Sequence, residues 1–391
     1  MDFRLSHRAE AFRQEVRCFL AEALPADFTG FEEESAESHD YWAFSREFAR
    51  RLASRGWLAP AWPPEYGGIS ASPEEQWVLA EELGYHAAPF YNRTVSIVGP
   101  VLTNFGTPEQ KARFLAAIGR GEVEFCIGLT EPEHGSDLAG VECRAEADGN
   151  GFRLHGQKVY SSNAHHADYC LLLARTDPQA PQHRGLSLFI VDLKGGGVEV
   201  RPLVNALGLH CFNEIWLEGA AVPPGGLVGG EPGRGWYQIV FALNHERTVH
   251  AAGIARAALY RRTLNDLVKY VNGTRGGGGE PLRGRVAALA TEVEVFRLLS
   301  WRIAWMQARG VIPEWEAAMT KLLGSQLMGK LANLWAEAQG LYGQVGADPR
   351  RGVQGGRIER MLLSAVGVTI GGGTAEVLRN IIAYRGLGLP R

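Results

Sequence analysis

The feature that most constrains this chain is a double change in the period of its apolar residues. Up to about Gly121 they recur at helical spacing, between about Glu122 and Gly235 they fall into short runs broken by turns, and beyond Gly235 they return to helical spacing. Two such switches imply a β unit set between helical halves. The first half carries two marked helix starts. Ser72-Pro73-Glu74-Glu75 and Thr107-Pro108-Glu109-Gln110 each place a capping oxygen, a proline at the first helical position and a Glu or Gln two residues beyond it. Upstream of both, Gly56 to Pro64 is rich in aromatics and proline, which predicts an ordered loop packed on the helices.

In the middle stretch, Phe152 to Leu154, Tyr169 to Leu173, Leu186 to Val191 and Ile215 to Leu217 are β-branched and aromatic runs separated by Gly, Asp and Pro. They predict an antiparallel β domain, a barrel or a sandwich. Beyond it, long helices are expected over 236–272, 281–309 and 314–342, with shorter ones towards the C-terminus. Val286, Leu289, Val293, Phe296 and Ile303 keep the three-or-four spacing of one buried helix face. Helices of this length joined by short turns predict an antiparallel four-helix bundle. The expected organisation is α+β, with a helical domain over 1–121, a β domain over 122–235 and a helical bundle over 236–391.

Charge and composition narrow the function. A formal net charge of -3 with no basic run gives no footprint for nucleic acid. No apolar stretch approaches the roughly 20 residues of a bilayer span, so no membrane partner is expected. The start Met1-Asp2-Phe3-Arg4 lacks the layout of a signal peptide, and a cytoplasmic location is expected. The five cysteines are widely spaced with no Cys-x-x-Cys pair, and are read as small buried hydrophobes. No metal site is expected either. His165 and His166 are adjacent, and His245 and His250 lack the spacing of a helical zinc pair.

The chemistry lies in five short motifs. Leu129-Thr130-Glu131-Pro132-Glu133-His134-Gly135-Ser136-Asp137 crowds hydroxyls, carboxylates and glycine at the end of an apolar run, a composition suited to holding a polar ligand. Gly156-Gln157-Lys158-Val159-Tyr160-Ser161-Ser162-Asn163, Asn244-His245-Glu246-Arg247, Gln339-Gly340-Leu341-Tyr342-Gly343 and Gly371-Gly372-Gly373-Thr374-Ala375-Glu376 follow it. Neither the Rossmann nor the P-loop glycine pattern occurs. In order and spacing the five motifs resemble the flavin-dependent acyl-CoA dehydrogenase family along essentially the whole chain.

That resemblance implies FAD as cofactor. The backbone of Leu129 would help bind the ring oxygens of the flavin, Thr130 would face its pyrimidine and Ser136 its pyrophosphate. Tyr160 and Ser162 stand where the family reads Trp-x-Thr, an aromatic over the flavin edge and a hydroxyl towards N5. Gln339, in a motif closing on Gly343, matches a glutamine that reaches the adenosine side of a neighbouring subunit's FAD. Arg275 matches the arginine of a second intersubunit segment, in which Gly278 replaces the usual phenylalanine. Thr374 and Glu376 open a helix behind the glycines, in a region that holds FAD in the family.

Many members carry their catalytic glutamate where this chain has Gly372, whose backbone amide would instead help hold a thioester carbonyl. A second group, resembling the isovaleryl and long-chain types, places the base on an earlier helix just before an arginine, and here that position is Glu246 followed by Arg247. The resemblance therefore implies α,β-dehydrogenation of an acyl-CoA or carrier-protein-bound acyl thioester, with an electron-transfer flavoprotein as acceptor and a homotetramer as the assembly. Two other readings stay open. One is an oxygen-using flavin monooxygenase or oxidase on the same fold; the other is a non-catalytic or half-site partner subunit in a heterotetramer.

Overall fold

The computed structural model describes residues 4–25, 28, 39–89, 92–249, 253–273, 279–346 and 356–390, with the side chains of 39–41, 245–249 and 279 outside that description. The N-terminal stretch supplies α1 (His7–Ala23), α2 (His39–Ala53), α3 (Pro73–Tyr85), α4 (Gly99–Phe105) and α5 (Pro108–Gly119). Seven strands follow: β1 (Phe125–Gly128), β2 (Arg144–Asp148), β3 (Gly151–Lys158), β4 (Tyr169–Arg175), β5 (Leu186–Asp192), β6 (Val198–Leu203) and β7 (Phe212–Val222). The remainder is helical, with α6 (Gly235–Val249), α7 (Ile254–Gly273), α8 (Gly279–Gln307), α9 (Trp315–Gln339), α10 (Arg357–Val368) and α11 (Ala375–Ile381). The architecture is thus a helical N-terminal domain, a β middle and a helical C-terminal domain. No helix among the described residues is long and apolar enough to cross a membrane.

By its contacts the chain divides into two compact units, one from Met1–Ser35, Ala71–Phe90 and Arg247–Arg391, the other from Ala36–Ser70 and Tyr91–Glu246. In the first, Ala257, Leu264 and Leu267 of α7, Val286, Leu289, Val293 and Phe296 of α8, Leu327, Leu331 and Trp335 of α9 and Ile358 and Met361 of α10 share one core. The face predicted from spacing is buried throughout, Ile303 included. Both predicted helix starts form capping boxes. Ser72 Oγ accepts the Glu75 N–H while the Glu75 carboxylate accepts the Ser72 N–H, and Thr107 and Gln110 repeat the exchange. Three arginines of α1 meet the acidic side chains of α3: Arg8 with Glu75, Arg13 with Glu81 and Arg17 with Glu82.

In the second unit the strand order is β1-β4-β2-β3-β7-β6, with β5 pairing β4. The sheet is mostly antiparallel, as expected, but β1 runs parallel to β4, with Cys126 opposite Cys170. A parallel pair needs a long crossover, and the stretch from 129 to 168, with the β2–β3 hairpin inside it, provides one. Leu154, Leu172, Phe189, Ile215 and Leu217 form its core.

Two further expectations are corrected. The stretch expected as one helix over 236–272 holds two, α6 and α7, and Gly253, just before α7, lies in a bend packed against its neighbours. A Cβ on Gly253 would lie 2.5 Å from Ser300 Oγ and 2.9 Å from Thr320 Cγ2. Nor are all five cysteines buried: Cys18 is exposed and Cys211 only partly covered. Cys18 falls off the face of α1 that buries Phe12, Val16, Phe19 and Leu20.

Candidate functional site

Where β1 ends, the chain enters the first motif, and the motif is held by a buried ion pair. Lys158, the last residue of β3, is 0% exposed, and its Nζ donates to Glu131 Oε1 at 2.7 Å and to the Leu129 carbonyl at 3.1 Å. The Glu131 carboxylate accepts two backbone N–H groups besides, from Glu142 at 2.6 Å and Cys143 at 2.8 Å. Two buried charges that meet each other and fill their remaining valences with backbone donors form the arrangement in which such a pair is tolerated. Its effect is local: it fixes Leu129 and Glu131 on either side of Thr130, whose carbonyl accepts the Val159 N–H at 2.9 Å.

Beyond this anchor the loop turns on reciprocal Glu131 and His134 backbone bonds, and Gly135 and Ser136 lie exposed at its outer side. A Cβ on Gly135 would find only the Thr130 methyl, at 4.0 Å, so the space in front of Thr130 stays open. Burial pushes the Cys143 thiol up to about 11. That places it among inert structural cysteines and not among nucleophiles.

Tyr160 follows two residues after Lys158, and its backbone is unusual. Its φ is +57°, a left-handed conformation that a bulky residue rarely adopts, and its side chain is 59% exposed with Phe212 edge-on at 6.2 Å between centroids. Ser161, by contrast, is fully buried. Its N–H donates to the Asn213 carbonyl at 2.9 Å, its carbonyl accepts from Asn213 Nδ2 at 3.0 Å, and its Oγ has no hydrogen-bond partner among the described residues. Ser162 is half-buried. Leu129, Thr130, Tyr160 and Ser162 are therefore gathered at one end of the sheet by backbone bonds between their own segments.

Within the helical unit, Gln339 closes α9. It is 6% exposed, and its Nε2 has no hydrogen-bond partner among the described residues. Gly343 sits in the short helix that follows, where a Cβ would lie 2.8 Å from the Ala336 carbonyl. The second glycine motif leaves α10 with Gly372 at φ +73° and Gly373 at φ +109°. Thr374 then caps α11, its Oγ1 accepting the Val377 N–H at 3.3 Å. One donor at that helix end is thus already satisfied by the chain itself, and the Glu376 side chain points into solvent 3.6 Å from Arg379.

A residue that sequence reading passed over stands beside Gly372. Lys321, buried on α9, donates through Nζ to the Val368 carbonyl at 2.6 Å and to Ser325 Oγ at 2.9 Å. A Cβ on Gly372 would lie 3.3 Å from its Cε. Nothing in the sequence near Lys321 marks it, since α9 joins Val368 only through the fold. Glu246 and Arg247 fall on the helical backbone of α6, but their side chains lie outside the described residues, as does all of Arg275.

Comparison with known proteins gives three family matches in chain order: acyl-CoA dehydrogenase N-terminal domain over residues 6–122, middle domain over 126–219 and C-terminal domain over 233–387. The acyl-CoA dehydrogenase IpdE1 of Mycobacterium tuberculosis is 34% identical over 386 residues, covering 98% of each chain. Among solved structures, one described as the Tcur3481-Tcur3483 steroid ACAD is 34% identical with a TM-score of 0.87, and the match covers 100% of both chains. The ChsE4-ChsE5 complex from Mycobacterium tuberculosis is 30% identical with a TM-score of 0.88, again over 100% of both.

Proposed function

The chain belongs to the acyl-CoA dehydrogenase family, whose members are FAD-dependent enzymes, and from that premise we propose that it desaturates an acyl thioester between Cα and Cβ with Glu246 as the base. The observation that carries this reading is the pairing of two positions: Gly372 has no side chain to act as a base, and the sequence offers Glu246 followed by Arg247 on α6. An α-proton is a weak acid. Its removal needs a carboxylate placed within about 3 Å and a carbonyl whose oxygen is held while negative charge gathers on it. Glu246 would take the proton, and the Gly372 amide would donate to the carbonyl. When bound, FAD supplies the acceptor for the hydride that leaves Cβ.

The residues present fit that group. Gln339 Nε2 is a buried donor without a partner among the described residues, the kind of orphan a bound dinucleotide would satisfy. Leu129, Thr130, Ser136, Tyr160 and Ser162 would hold its flavin end, and Gln339, Gly343, Thr374 and Glu376 would belong to the part of the site that binds the remainder. Arg275 and Gln339 would act on a neighbouring subunit's cofactor, which makes FAD retention depend on assembly. Dilution that dissociates the assembly should release the flavin, and Gln339→Ala should weaken its binding; a monomer that keeps its full FAD content would contradict this. A homotetramer fits one chain carrying the whole set, whereas the likeness to a two-protein complex favours a heterotetramer with shared sites. Purification of the chain alone decides between them.

The likeness to a steroid ACAD favours a bulky, ring-bearing acyl group. We propose an electron-transfer flavoprotein as the acceptor and the cytoplasm as the place of work. A panel of short, branched and ring-bearing thioesters, each on CoA and on a carrier protein, tests the substrate class. Flavin bleaching without air should be fastest with ring-bearing CoA esters. Equal rates across the panel would remove the preference, and rapid reaction of the reduced flavin with oxygen would favour an oxidase or monooxygenase instead.

A further inference from the structure

The residue that fixes the segment proposed to cover the flavin is Asn213, 52 residues away in sequence. It is the second residue of β7 and is 0% exposed. Both its backbone and its side chain are committed to one residue, Ser161. The Ser161 N–H donates to the Asn213 carbonyl at 2.9 Å and Asn213 Nδ2 donates to the Ser161 carbonyl at 3.0 Å. On the other side of Tyr160, Val159 is held through its N–H by Thr130. Tyr160 is therefore the one link between two fixed points, and its positive φ is what spanning them requires. A left-handed tyrosine persists only where its surroundings over-determine it.

The amide of Asn213 is itself oriented. Oδ1 accepts from His210 Nε2 at 2.8 Å, and His165 Nδ1 lies 3.2 Å from Oδ1 and 3.1 Å from Nδ2. Behind these contacts the rings form a column. His210 stacks on His165 at 4.0 Å, His165 leans on His166 at 4.0 Å, and His166 stacks on Trp42 at 4.3 Å. Burial, then the neighbouring His166 and His210, lower His165 to about 4, so it is neutral near pH 7 and can accept from Asn213 Nδ2. No metal is needed to explain three histidines so close. Among the described residues no group of His, Cys, Asp or Glu side chains is arranged to hold one.

We propose that Asn213, oriented by His210 and His165, is a positioning residue that clamps Ser161 and thereby sets Tyr160 and Ser162 for the flavin. The inference rests on the proposed flavin role of those two residues. Asn213→Asp tests it with little change of shape: it keeps an acceptor for His210 but turns the donor facing the Ser161 carbonyl into an oxygen. Asn213→Ala removes the whole amide.

The first readout needs no activity. By hydrogen exchange of the full-length protein as purified, both variants should speed the Ser161 amide about fivefold to tenfold, the effect of one lost hydrogen bond, and leave Leu171 to Leu173 of β4 unchanged. The second readout is a double-mutant cycle on FAD retention and flavin fluorescence. Asn213→Ala should weaken retention in the native background and add less once Tyr160→Ala is present, the remainder acting through Ser162. Unchanged exchange at Ser161 in Asn213→Asp overturns the clamp, and additive flavin effects overturn its action through Tyr160. If Tyr160→Ala alone leaves the flavin untouched, the flavin role of Tyr160 falls, and with it the clamp's effect on the cofactor, while the exchange result still decides whether Asn213 holds Ser161.

Discussion

Glu246→Gln should slow flavin reduction by a good thioester at least about 10²-fold, the lower end of what a positioned general base contributes. Glutamine keeps the size and helix propensity of glutamate, so FAD content and thermal midpoint should stay near those of the native protein. Stopped-flow bleaching of the flavin at saturating thioester measures the rate directly, and a near-normal rate would eliminate Glu246 as the base. Moving the carboxylate gives a second test, because the family reaches the same proton from either position. Glu246→Gly combined with Gly372→Glu should restore part of the rate. Full recovery is not expected, since position 372 has φ +73° and its new Cβ would stand 3.3 Å from Lys321 Cε. Both features resist a side chain there.

Lys158→Met should destabilise the sheet unit strongly. It deletes the cation at 0% exposure and leaves Glu131, itself 6% exposed, with a buried charge and no counter-ion. Breaking a buried pair from one side typically costs about 3 to 5 kcal/mol. The two backbone donors from Glu142 and Cys143 remain and reduce that cost, so the lower end is expected. Denaturant and thermal midpoints should both fall, and FAD retention should fall with them because the Leu129 carbonyl loses its anchor. Adding Glu131→Gln to Lys158→Met removes the stranded charge and should recover part of the loss. Native midpoints in Lys158→Met would show that the ion pair does not hold the loop.

Those two side chains mark the boundary of what the sequence could reveal. Helix starts at Ser72 and Thr107 were legible because a capping box is written in four consecutive residues, and the buried face from Val286 to Phe296 because helical spacing is local too. The division of 236–272 into α6 and α7 was not legible, since the neighbours that crowd Gly253 just before α7, Ser300 and Thr320, lie on other helices. The parallel pairing of β1 with β4 is equally a matter of register between remote segments.

The candidate site divides in the same way. Residue types at 129–137 and 371–376 suggest ligand loops by composition, and the family resemblance implies roles for them. Lys158 lies within the second motif but carries no assigned role in sequence, and only the fold places it on Glu131, 27 residues earlier. Asn213 and Lys321 escaped for the same reason. Each acts on a backbone carbonyl, Ser161 or Val368, and a carbonyl leaves no trace in residue identity.

The most direct test of the central claim follows hydrogen loss from the thioester. FAD-loaded protein is mixed without air with one equivalent of a reactive acyl-CoA, unlabelled or deuterated at Cα and Cβ, while flavin absorbance and product mass are followed together. The account predicts one 2-enoyl thioester formed per flavin bleached, one deuterium lost from each carbon, and slower bleaching when either position is labelled. A flavin that dithionite bleaches but no thioester does, or bleaching without loss of a hydrogen from Cα, would contradict it.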